Sequence, residues 1–178
     1  MPQPTKTKAK SKAASKPTSD ADAGKDAIAL LEADHREVRA LFEEFEQATG
    51  DADKRRLAIA ICTALKVHAR LEEDIFYPAA FAAIEDADLI GEAQVEHASA
   101  RDLIAQIESG APGEALYDAR VRVLSEYIDH HVAEEEGEIF PQCRASGLDL
   151  DALGQLLAVR KHELSVGFTV SNPILALS

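Results

Sequence analysis

His68 and Glu72 stand four residues apart, and so do His131 and Glu135. On a helix that step stacks two side chains on one face, so an imidazole nitrogen and a carboxylate oxygen can converge on a single cation. Two more histidines, His35 and His97, precede these pairs by 33 and 34 residues. A lone histidine on an apolar stripe is usually a hydrogen-bonded core residue, and an isolated His-x-x-x-Glu is common on exposed faces. The conjunction is what points to metal chemistry. Four imidazoles and two carboxylates buried in one core without a cation would carry a heavy desolvation cost. Imidazole suits iron, zinc, copper and nickel, and bridging carboxylates favour hard ions such as ferric iron or manganese.

A repeat generates this set. HARLEEDIFYP at 68–78 aligns with HVAEEEGEIFP at 131–141, so Pro78 and Pro141 each fall ten residues beyond their histidine. An acid precedes the first histidine of each copy, Asp34 in one and Glu96 in the other. The register selects His131 over its neighbour His130, which points about 100° away around the helix. His130 and His162 read as surface residues. Tyr77 aligns with Phe140 and reads as core packing, with a hydrogen-bonding role toward the site as its alternative.

Four long amphipathic helices must carry these residues. Apolar positions at three- and four-residue steps predict helices over about 26–48, 53–84, 86–109 and 114–143, with a shorter one over 149–166. Pro78 should stop or kink the second. Short connections between long helices imply antiparallel neighbours. The expected fold is all-α, an antiparallel up-down-up-down four-helix bundle over 26–145, followed by a short additional C-terminal helix and tail. Residues 1–25 carry six lysines against Asp20 and Asp22 and contain no Leu, Ile, Val or Phe. Such a segment cannot offset its ordering entropy by burial, and a disordered N-terminal tail is expected.

With six lysines in that tail, the rest of the 178-residue chain is more acidic than the net charge of −13. An acidic body argues against nucleic-acid binding, except weak contact through the basic tail. Cys62 and Cys143 form no Cys-x-x-Cys pattern and read as reduced core residues. No apolar run approaches the length that spans a membrane and no apolar leader is evident, so a cytoplasmic protein is expected. No nucleophile–base pattern or glycine-rich phosphate loop suggests a hydrolase.

At ADHREVRALFEEF (33–45), HARLEEDIFYP (68–78), VEHASARDLI (95–104) and HVAEEEGEIFP (131–141) the sequence resembles the hemerythrin-like HHE cation-binding family. The resemblance implies a bundle enclosing two iron ions. One would take His35 and His68, the other His97 and His131, with Glu72 and Glu135 as bridges. Oxygen-carrying hemerythrins have another histidine four residues after the third-helix one, where this chain has Arg101. The resemblance therefore implies an open position, a water, or an extra carboxylate such as Glu73 or Glu136, and argues against stable O2 carriage. The function expected is a non-haem di-iron protein that binds, senses or reacts with O2, peroxide or nitric oxide. Iron storage or delivery, and a metal-stabilised interaction module, are its rivals.

Overall fold

A computed structural model describes the backbone of residues 24–84 and 88–171, with side chains through Gly167. The tail expected over 1–25, apart from Gly24 and Lys25, lies outside the described residues, as does Asn172–Pro173. All regular structure among the described residues is helical. In order come α1 (Ala27–Gln47), α2 (Asp51–Leu71), a π-helical turn (Glu72–Phe76), α3 (Tyr77–Phe81), α4 (Asp88–Ser109), α5 (Tyr117–Glu134), a second π-helical turn (Glu135–Ile139), α6 (Phe140–Ala145) and α7 (Leu150–Ser171). Asp26 caps α1, its side chain accepting from the Ala29 N–H at 2.7 Å. The fourth long helix starts at Tyr117 rather than near Glu114, because Leu116 before it takes a left-handed φ of 71°.

The bundle alternates up and down. The apolar core falls into two clusters, and each long helix enters them in opposite order to its neighbour. α1 runs from Leu31 in the first cluster to Val38 in the second, whereas α2 runs from Leu65 in the second to Leu71 in the first. α4 passes from Ala93 to Ala100 like α1, and the α5 arm of the bundle passes from Leu124 to Ile139 like α2. Between the clusters, on all four helices, sit the buried histidines. α7 packs across α1 and α2. Its Gly154 lies so close to the start of α1 that a Cβ there would meet the Lys25 carbonyl oxygen at 2.4 Å. α7 extends to Ser171, well beyond the 149–166 expected, and its Leu157 is fully buried.

Pro78 and Pro141 neither stop nor sharply end their helices. Each is preceded by a turn widened by one residue. The Tyr77 N–H bonds to the Glu72 carbonyl, and the Phe140 N–H to that of Glu135. In an unbroken α-helix the proline ring would collide with the carbonyl four residues back, and the wider turn makes room for it. The extra residue also rotates the next turns of the helix about its axis. Ile75 is only partly buried, while Phe76 and Tyr77 take the core positions.

Candidate metal centre

Six side chains meet in the polar layer: His35 from α1, His68 from α2, His97 from α4, His131 from α5, and Glu72 and Glu135 as first residues of the two π-helical turns. All six are buried, the two glutamates completely. The histidine Nε2 atoms pair, His35 with His68 at 3.1 Å and His97 with His131 at 3.2 Å. Nitrogens bound to one ion at about 2.1 Å would be roughly this far apart. Glu72 reaches both pairs, with Oε1 3.0 Å from His68 Nε2 and Oε2 3.3 Å from His97 Nε2. Glu135 Oε2 lies 3.3 Å from His35 Nε2 and 3.6 Å from His131 Nε2. Two ligand groups result, one of His35, His68, Glu72 and Glu135, the other of Glu72, His97 and His131.

The outer ring nitrogens face carboxylates. His35 Nδ1 meets Glu136 at 2.9 Å, His97 Nδ1 meets Glu73 at 3.1 Å, and His131 Nδ1 meets Glu96 at 2.8 Å. His68 Nδ1 faces Asp34 at 3.6 Å, beyond hydrogen-bond distance. Asp34 is itself held by Lys161 from α7 at 2.6 Å. An ionised carboxylate only accepts, so each bonded Nδ1 must donate. That leaves the Nε2 lone pair directed inward, the arrangement that orients and strengthens a histidine ligand. Glu73 and Glu136 therefore lie on the outer side of the imidazoles. Arg101 turns outward and pairs with Glu73.

The centre is asymmetric in one respect. The Tyr77 hydroxyl donates to Glu135 Oε1 at 2.9 Å and lies 3.5 Å from His97 Nε2. Its repeat partner Phe140 has no hydroxyl and stacks on His35, with ring centroids 5.9 Å apart. Both Glu72 oxygens and Glu135 Oε2 are buried without a hydrogen-bond donor. Native proteins rarely leave buried carboxylate oxygens unsatisfied. These orphaned oxygens, beside paired inward nitrogens, fit a cation. Burial alone would lower the His68 and His97 pKa values, but Glu72, with Asp34 and Glu73 beside them, raises both above the usual imidazole range. Burial would raise Glu72, and His68 and His97 overcome it, holding that carboxyl low. Burial and the nearby glutamates push Tyr77 up.

A family model described as the hemerythrin HHE cation-binding domain matches residues 26–143. The chain belongs to this family. Among solved structures, this HHE protein is similar to a hemerythrin HHE cation-binding domain-containing protein from Mycobacterium kansasii. The TM-score is 0.72 at 23% identity, covering 83% of this chain and 93% of that one, a likeness of fold. Among curated proteins it is similar to a DNA nickase of Nostoc sp., at 28% identity over 115 residues. The match takes 65% of the HHE chain but spans only 32% of that relative's length.

The repeat register placed all six inward residues in sequence. Glu73 and Glu136, considered there as extra ligands, instead bond the outer ring nitrogens of His97 and His35, and Asp34 and Glu96 were given no role although their signal was present. Asp34 matches Glu96, and Glu73 matches Glu136, each pair at equivalent repeat positions. Lys161 left no signal, since nothing local ties the last helix to Asp34. His130, 65% exposed at its side chain, lies outside the layer and pairs with Glu134 at 3.2 Å.

Proposed function

We propose that this HHE protein holds two iron ions and binds, senses or reacts with O2, peroxide or nitric oxide. The observation that carries the reading is the division of four inward Nε2 atoms into two close pairs, with one Glu72 oxygen at each pair. His35 and His68 would hold one ion and His97 and His131 the other, with Glu72 and Glu135 shared. Bound iron would supply reversible one-electron chemistry and a site for a small ligand. The chain's own residues do the rest. Glu136, Glu73 and Glu96 fix the imidazole orientation. The Leu, Ile and Phe clusters above and below the layer give it an apolar surround that bears on the potential. Tyr77 holds Glu135 in place and puts one hydroxyl proton within reach of the centre. A compartment with reduced thiols, the cytoplasm, suits the two free buried cysteines.

The test is optical. The iron-loaded protein is reduced without air, then exposed separately to O2, hydrogen peroxide and nitric oxide. The reading expects near-ultraviolet absorption that bleaches on reduction and returns or shifts with at least one of the three. A loaded protein whose spectrum responds to none of them would leave storage or structural metal as the better account.

A further inference from the structure

A cavity of about 510 Å³ opens to solvent between α2 and α4 and reaches inward to all four histidines of the polar layer. Its size exceeds the needs of the small ligands considered above. A diatomic or peroxide needs the room of one or two waters, and this space equals about seventeen times the roughly 30 Å³ share of a water in the liquid. It falls within the range typical of sites for organic ligands. The walls are apolar where the cavity runs beneath the histidines, formed by Val38, Leu65, Ala100, Ile104, Ile128 and Val132.

The mouth differs. Lys66 and Arg70 from α2 and Arg101 from α4 collect there, and Asp34, Glu73 and Glu108 line the same cavity. Each has an acidic neighbour: Glu108 for Lys66, Asp74 for Arg70 at 3.6 Å, and Glu73 for Arg101. The Arg70 and Arg101 side chains are more than half exposed, and such ion pairs are worth little, so a partner can be exchanged cheaply. A guanidinium offers five N–H donors in a fork that matches a carboxylate, far more than one acid uses.

We propose that this cavity binds an elongated apolar molecule with an anionic head, of the class of medium-chain monocarboxylates. The chain lies along the apolar wall beneath the histidine layer, and the head rests against Arg101 and Arg70 at the mouth. Occupancy needs no metal, so this site stands or falls separately from the iron reading.

Calorimetric titration of the full chain with octanoate and with 1-octanol, with metal content measured in parallel, tests it. Octanoate should bind saturably at one per chain, in both metal-loaded and metal-depleted protein. Ala100→Phe, which fills the cavity, and Ala105→Trp, at its exposed rim, should each weaken binding at least tenfold. Ala105 is exposed, so its variant keeps the test valid if Ala100→Phe fails to fold. Arg101→Gln should weaken octanoate severalfold and leave octanol unchanged. No saturable binding, or binding indifferent to the filling variants, overturns the site. Octanoate binding indifferent to Arg101→Gln overturns the anionic head.

Discussion

Glu72 has the most to do of any single residue, since each of its oxygens faces a different histidine pair. Glu72→Gln keeps the shape and removes the charge. Metal bound per chain should fall by at least half, measured by elemental analysis after dialysis. His130→Ala should leave it unchanged, because His130 faces Glu134 outside the layer. With His68 and His97 raised and Glu72 held low, the imidazoles of the metal-free centre keep their protons to higher pH than a free histidine does. A metal must displace them. Loading should therefore release protons, and affinity should fall as pH drops, detectable by calorimetry in buffers of different ionisation enthalpy. Tyr77→Phe copies the Phe140 arrangement of the other half. It should keep the fold and metal content, cost about 1–3 kcal/mol of stability, and shift the optical spectrum through the freed Glu135 oxygen.

The repeat made the six inward residues legible because helix periodicity and histidine spacing are both local quantities. The π-helical turns were harder to see. Proline was visible at equivalent positions, but its usual consequence is a break, and only the packed structure shows that widening the turn is the cheaper response. A uniform helical period does not include an extra residue, so it does not foresee that Phe76 and Tyr77, rather than Ile75, fill the core. The start of the fourth long helix was misplaced because a left-handed leucine has no sequence signature. α7 was legible as a helix but not as a partner of α1. Its close approach depends on Gly154, where an added methyl group would overlap backbone atoms that cannot move away easily. Gly154→Ala should lower stability by about 1–3 kcal/mol despite its better helix propensity. Thermal unfolding would show this as a drop of several degrees.

Across the whole molecule, a polar layer divides an otherwise apolar core, and the two halves of the chain contribute equivalent histidines and glutamates to it. Among the described residues, no helix is long and apolar enough to cross a membrane. The cysteines lie one in each apolar cluster, outside the layer. Burial pushes the Cys62 thiol up to about 12, and burial with Glu135 pushes Cys143 up to about 11. Both should resist alkylation in the native protein at pH 8 and react once it unfolds. These thiols are kept neutral by folding but ionise in the unfolded chain near 9. Their contribution to stability is therefore complete below pH 9 and lost as pH rises toward 11 and 12.

The most direct test of the metal centre is its stoichiometry. Ferrous iron titrated anaerobically into the metal-free chain should saturate at two ions per chain, and Glu72→Gln should lower that number. Saturation at one ion, or no binding above that of a variant lacking His35 and His97, would contradict a centre shared between the two histidine pairs.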